Sequence, residues 1–527
     1  MQAPAIDTGP TRPPCTDYFS AARLRPDLRS KALTGASVTL VAQTCAFAIG
    51  TVGTIVLARL LTPHDFGLVT MVLTFSFLLQ NFGLNGFIEA TIQREEIDHK
   101  QVSTLHWINV GINLMLTLIF MASAPLVARF YGEPLLKPIV VVMAIAILFG
   151  GAATQHQGLL RRNMEFGKVA GCDIAATIAS LGIAILLAYR GWGYWALVAR
   201  WVTAPVMTAA GSWLLCEWRP GPPVRGIGVR PMVKFAFNTY GNFALFYFGK
   251  TADKILVGRF LGSQALGSYD RAYQLSTLLP SQLFTPLNSV AMPAFSRLAS
   301  TPEHFRRTYL TLLSILAFVC MPVSAVVTLT GSDLILVLLG PQWKDAAQII
   351  PVLGLSTGMM LLYCTHAWLH LSLGTPDKWL RWALIAFVVT MLLVVMGLPF
   401  GPLGVAAGYS ASLYILTPPA IWYAGRPIDL KVSAILGGVW KYLVSALVAG
   451  FLCWFIVNRS DVPAAVFTHL NVLTRLAASA TLCLSLYLVL VVLLHRGITP
   501  ILQFVTLARD MIPQSVFDRA RQLAYRQ

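Results

Sequence analysis

Residues 54–70 and 254–270 are two versions of one segment, offset by 200 positions. The first runs from Thr54 through Arg59 and Pro63 to Gly67. The second runs from Lys254 through Arg259 and Ser263 to Gly267. In both, an apolar helix ends in Arg, a short loop follows, a Gly stands eight residues after the Arg, and another apolar helix begins. A repeat of such long period divides a chain into two similar halves and does not describe a solenoid. In a membrane protein, paired halves usually enclose a substrate path. The repeat therefore points to a transporter.

The solvent of such halves is set by composition. Hydrophobic residues make up 56% of the 527 and charged residues 12%, against about 25% charged in a soluble domain. The net charge of +17 does not point to nucleic acid, because the charges sit in short loops between hydrophobic stretches. Eight cysteines are scattered without a CxxC pair and read as small packing residues. Residues 1–35 are polar, contain Pro10, Pro13, Pro14 and Pro26, and have no signal-peptide core; they read as an uncleaved tail.

Apolar stretches long enough for about 30 Å of hydrocarbon recur near 36–60, 67–90, 102–127, 138–160, 168–189, 192–217, 232–258, 266–297, 308–329, 345–373, 380–398, 402–424, 434–457 and 472–494. This predicts an all-α integral membrane protein of about fourteen transmembrane helices. Its parts are a tail (1–35), an N-lobe (36–217), a linker (218–231), a C-lobe (232–424), two further helices (425–494) and an amphipathic tail (495–527). The break at 189–192 is very short. The stretch 266–297 is too long for one straight span and contains Pro280, Pro286 and Pro293, so a kink is expected there. Basic residues alternate from loop to loop. Arg12, Arg23, Arg25, Arg161, Arg162, Lys168, Arg219, Arg225, Arg306 and Arg307 share a side with Arg509, Arg519 and Arg526, while the opposite loops carry little beyond Arg129, Lys137, Arg190 and Lys344. By the positive-inside rule both termini are cytoplasmic. Trp192, Tyr194, Trp195, Trp440 and Tyr442 read as interfacial belt residues.

Ionisable groups inside spans are expensive and therefore functional candidates. Lys250 and Lys254 are one turn apart with Asp253 beside them, Asp270 and Arg271 open the next span, Arg200 lies about 12 Å into the sixth span, and Asp173 sits near the inner end of the fifth. Arg59 and Arg259 hold matching repeat positions. The basic excess suits a central cationic cavity for diphosphate or acidic sugars, built from Arg200, Lys250, Lys254, Arg271, Arg59 and Arg259. Asp253, Asp270 and Asp173 are candidates for coupling a proton or Na⁺. The bland alternative is a set of structural ion pairs and snorkelling side chains. Gly249-Lys250-Thr251 resembles the end of a P-loop, but Ala244 stands where the first Gly is required, so no nucleotide is expected. His366 and His370, one turn apart without a third ligand, are weak evidence for zinc. No cofactor or metal is expected, and the outer loops leave no room for an enzyme's catalytic domain. Asn458-Arg459-Ser460 fits a glycosylation sequon.

The segments Asp253–Arg259, Leu266–Leu275, Pro293–Arg297 and Leu57–Leu68 resemble the polysaccharide transporter family, the Wzx-like lipid-linked oligosaccharide flippases of the MATE-like (MOP) superfamily. The resemblance covers most of residues 35–425. It implies two pseudo-symmetric six-helix lobes plus two trailing helices. It also implies export of undecaprenyl-diphosphate-linked sugar units across the bacterial inner membrane, amid membrane lipids and beside polysaccharide polymerase machinery. A MATE-type cation-coupled multidrug exporter is the competing reading. Its cationic drugs would favour buried acids, whereas the outer-half cluster leans basic.

Overall fold

The computed structural model describes residues 28–84, 86–94, 97–226, 228–458 and 471–511. The rest of both tails and nearly all of the outer loop expected at 458–471, with the sequon's Arg459 and Ser460, lie outside the described residues. Among the described residues the chain is helical and has no strand. This is the economical solution in hydrocarbon, where a helix satisfies each backbone N–H and C=O within its own segment.

The helices are α1 (Leu28–Leu60), α2 (Pro63–Leu84), α3 (Phe87–Gln93), α4 (His99–Ala122), α5 (Ala124–Tyr131), α6 (Leu136–Arg162), α7 (Phe166–Tyr189), α8 (Tyr194–Leu215) and α9 (Arg230–Leu298). They continue with α10 (Pro302–Leu339), α11 (Lys344–Cys364), α12 (His366–Ser372), α13 (Pro376–Gly397), α14 (Gly401–Gly425), α15 (Val432–Asn458), α16 (Val472–His495) and α17 (Thr499–Met511). Nine stretches among the described residues are long and apolar enough to cross a membrane, one of them, Pro376–Ile428, containing both α13 and α14. The short break after Tyr189 is a genuine turn, in which Gly191 and Gly193 take φ of 79° and 55°. The loop expected between the seventh and eighth spans shrinks to one residue. Within α9 the backbone leaves helical values at Gly262, with φ 84° and ψ 178°, a conformation open essentially to glycine alone. Pro280, Pro286 and Pro293, where a kink was expected, lie inside continuous helix, and the kink of α9 is at Gly262. A proline loses one N–H bond, but its fixed φ is itself helical.

The chain forms two compact units, Met1–Gly267 and Ser268–Gln527. In the first, α6 packs against α2, α3, α4 and α8, and α7 packs against α1 and α8. Phe87, Val102, Leu105, Leu159, Leu160 and Met232 form part of its core. Trp218, expected in a cytoplasmic linker, is completely buried in that core. The loops of the repeat meet inside this unit. A methyl group on Gly67 would overlap the Ser263 carbonyl, and one on Gly267 would overlap the Pro63 carbonyl. Positions 63 and 67 of one copy therefore touch 267 and 263 of the other. Small residues permit such backbone approach between membrane helices.

In the second unit α10 packs against α11, α15 and α16. Arg475 on α16 binds Asp333 on α10 at 2.5 Å, and the Tyr487 hydroxyl donates to the Phe318 carbonyl at 2.8 Å. Tyr442 is a core residue and not a belt residue: it is 4% exposed, accepts from the Ser314 hydroxyl at 3.2 Å and stacks on His495. Facing a packed helix, its ring had no interface to occupy. Trp192 and Trp440 are exposed. On α17, Phe504 contacts Phe318 while Leu502 and Val505 stay exposed.

Candidate functional site

The charged candidates divide by burial. Arg200 is half-buried on α8 and donates from Nη1 to the Thr54 hydroxyl of α1 at 3.1 Å. This fixes the guanidinium beside the repeat segment. On α9, Lys250 is exposed, Lys254 is half-buried and Asp253 is 3% exposed. One turn of helix thus presents two cations on a face and turns a carboxylate inward. Arg59 and Arg259 are exposed at the ends of their helices, and the Arg259 guanidinium lies 5.9 Å from the Phe130 ring centre and 5.6 Å from that of Phe260. Such a contact lets a cation rest on an apolar surface.

The second unit holds the tightest group. Asp270, 2% exposed, accepts from Arg271 Nη2 at 2.7 Å and from Gln274 Nε2 at 2.9 Å. A buried carboxylate is tolerated when a cation and further donors surround it. Tyr273, one position before Gln274, shares a hydroxyl–hydroxyl hydrogen bond with Tyr409 at 3.2 Å. Asp173 stands apart from the two buried acids, exposed on α7, where its backbone carbonyl accepts the Thr177 hydroxyl.

The sequence reading missed a buried polar stripe in the first unit. His106, Asn109, Asn113 and Thr117 recur at spacings of three and four, which places them on one face of α4, and all are buried. Asn109 Nδ2 donates to the Gly151 carbonyl at 2.9 Å, Asn113 Nδ2 donates to Asn109 Oδ1 at 3.0 Å, and the Thr91 hydroxyl donates to Gln155 Oε1 at 2.9 Å. That spacing was visible in the sequence. Uncharged polar residues carry a weaker signal than charged ones, since they are common glue between membrane helices.

Apolar helical stretches of this length and number define a multi-pass membrane protein. A family model described as polysaccharide biosynthesis protein matches residues 56–348, more than half of the chain. The chain belongs to this family. It is 25% identical over 334 residues to the lipopolysaccharide biosynthesis protein WzxC of Escherichia coli (strain K12), covering 62% of this chain and 66% of WzxC. It is 25% identical to the teichuronic acid biosynthesis protein TuaB of Bacillus subtilis (strain 168), over 80% of this chain and 88% of TuaB. It is 23% identical to the succinoglycan biosynthesis transport protein ExoT of Rhizobium meliloti (strain 1021), over 90% and 96%. Among solved structures it resembles the lipid II flippase MurJ in an inward closed conformation, with a TM-score of 0.68 at 16% identity, covering 87% of this chain and 98% of that one. An inward-facing multidrug resistance MATE family transporter of the MOP superfamily gives 0.56 at 14% identity, covering 76% and 99%. At these identities the likeness establishes the fold alone, which the chain shares with both structures.

Proposed function

We propose that this chain is a flippase for undecaprenyl-diphosphate-linked oligosaccharides, moving repeat units of an exopolysaccharide, capsule or O-antigen across the bacterial inner membrane. The family match over residues 56–348 carries this reading. The fold shared with a lipid II flippase supports it. In this reading the chain crosses the membrane fourteen times with both termini cytoplasmic. Residues 36–217 and 232–424 are its repeated lobes, and 425–494 are an added pair.

The substrate's charge lies in its diphosphate, and its sugars are hydrogen-bonding groups. Arg200, Lys250 and Lys254 supply cations at the depth where such a headgroup must cross, and charge-assisted bonds to phosphate oxygens are the strong ones. A lipid-facing cation near mid-bilayer costs roughly 2.5–3.5 kcal/mol on insertion scales, so the exposed Lys250 faces a watery path. The same reasoning applies to the exposed Asp173. Arg59, Arg259 and Arg271 extend the basic lining. Movement is by alternating access driven by a proton or Na⁺ gradient, with Asp253 and Asp270 as the coupling carboxylates and a polysaccharide polymerase downstream.

The test is the Lys250→Ala/Lys254→Ala double variant. Polymer export should fall by at least tenfold while the protein remains in the membrane, and Lys→Arg at both positions should retain most export, because charge is kept. Normal export from the double Ala variant would exclude these lysines from the path. Loss of the protein itself would assign them to structural ion pairs.

A further inference from the structure

A cavity that the transport reading does not use lies in the second unit, between α11, α14 and α15. It holds about 70 Å³ and is apolar throughout. Met359, Leu362 and Ile421 form a buried floor, while Leu436 and Trp440, both exposed, form the wall on the lipid side. Thr417 also borders it, but its hydroxyl is spent on the Leu413 carbonyl. The sequence of α14 explains the gap. Pro418 and Pro419 stand inside the helix, and Pro418 lines the cavity. Each proline removes one helix hydrogen bond and presses on the carbonyl four residues back, so α14 does not pack flush against α15 at this level.

Protein interiors leave few voids, because atoms that line one lose dispersion contacts. Water does not fill an apolar void, having no partner there. Hydrocarbon does. The cavity lies close to one end of its helices: Ile421 is four residues before the end of α14, and Ile435 is three residues after the start of α15. From Ile435 to Leu443 it follows α15 for about 12 Å, the direction that an acyl chain takes below its headgroup.

The connection between the two helices supplies charge at that end. Arg426 begins it and Lys431 closes it, both exposed. The Arg426 guanidinium lies 4.1 Å from the Trp422 ring centre and 5.4 Å from that of Tyr423. These rings orient the guanidinium fork without neutralising it. The connection has one carboxylate, Asp429, and it faces Arg306 of α10 at 3.8 Å. The balance beside the cavity is therefore positive.

We propose that the cavity and these two cations form a site for an anionic phospholipid of the bilayer. One acyl chain enters between α14 and α15, and the phosphate is held by Arg426 and Lys431. Charge-assisted bonds from an arginine fork suit phosphate oxygens. A zwitterionic headgroup would set its own cation against both side chains. Basic pockets between membrane helices on the cytoplasmic side recognise anionic headgroups, and the positive-inside reading puts this connection on that side, with Arg306 and Arg307. The lipid supplies the contact that the prolines of α14 deny to α15, so its binding stabilises the folded chain.

This inference needs a bilayer around the chain and not a particular cargo. The full chain, purified in a non-ionic detergent, is titrated with dioleoyl phosphatidylglycerol while its thermal unfolding midpoint is read. Dioleoyl phosphatidylcholine, undecaprenyl phosphate and inorganic phosphate are titrated in parallel. Phosphatidylglycerol should raise the midpoint saturably by about 3 °C, and the other three by about 1 °C at most. Arg426→Gln/Lys431→Gln should weaken the apparent affinity about tenfold. Val439→Phe, which fills the cavity with both cations in place, should do the same. Should that variant fail to fold, Leu436→Phe narrows the mouth from the lipid side and replaces it. An equal response to phosphatidylcholine, or to inorganic phosphate, overturns the proposal, since then either the charge or the chain is not recognised. A stronger response to undecaprenyl phosphate also overturns it and gives the cavity to a prenyl chain. An unchanged titration in the double Gln variant or in the cavity-filling variant does so too. The expected titration in a protein that moves no lipid-linked glycan would keep the phospholipid site and remove the transport reading.

Discussion

The two loops of the repeat make the same turn by different chemistry. In the first, α1 ends at Leu60 and α2 opens on Pro63, with the Asp65 carboxylate accepting from the Thr62 N–H at 2.9 Å and from the Thr62 hydroxyl at 2.7 Å. Side chains cap the helix start, and Pro occupies the first helical position, where its missing N–H does no harm. In the second, Gly262 stands at the place of Thr62 and turns the chain through its own backbone, at φ 84°. The capping residues differ, while Gly67 and Gly267, each against the other copy's carbonyl, are the same. What the two copies share is therefore the close backbone approach. The manner of turning was free to diverge.

Five substitutions would break or sharpen this comparison. The largest effect is expected from Gly67→Val and Gly267→Val. Each drives a branched side chain into a backbone carbonyl that cannot rotate away, so the loss should exceed about 3 kcal/mol. Both variants should give little monodisperse protein after detergent extraction. A well-behaved Gly267→Val beside a lost Gly67→Val would show that the contact matters on one side only. Gly262→Val comes next, at about 1–3 kcal/mol for a residue forced into a glycine-only region. It should lower the thermal unfolding midpoint, whereas Thr62→Gly, which only loosens the turn, should lower it much less. Equal shifts would mean that both loops rely on backbone freedom. The smallest is Asp65→Ala, near 1 kcal/mol for a lost cap, read from the same midpoint; no shift at all would mean that Pro63 sets the turn unaided.

Much of the fold was legible because apolar length and loop charge speak directly of the bilayer. Even the four-residue turn after Tyr189 was found, since Gly191 and Gly193 interrupt two apolar runs. The Gly262 kink was misplaced onto Pro280, Pro286 and Pro293, because a proline is conspicuous in a sequence and a glycine gives no sign of its φ. The charged candidates stood out in the sequence for the cost they would incur in lipid, while the burial of Asp253 and Asp270 and the contact of Asp270 with Arg271 came from the structure. The burial of Trp218 was not legible, because that residue reads as part of a polar linker after Cys216. His366 and His370 attracted notice only because they are neighbours in the chain.

The Arg475–Asp333 contact and the Tyr487–Phe318 hydrogen bond have a consequence for the last two spans. They fasten α16 to α10 at two levels, one at the start of α16 and one just past its middle. The trailing helices are thus a splint along α10 and not a detachable appendage. Whatever tilt α10 undergoes during a transport cycle, α16 undergoes too, so a dye attached after His495 would act as a lever arm, magnifying the displacement of that helix into a signal readable from outside the membrane.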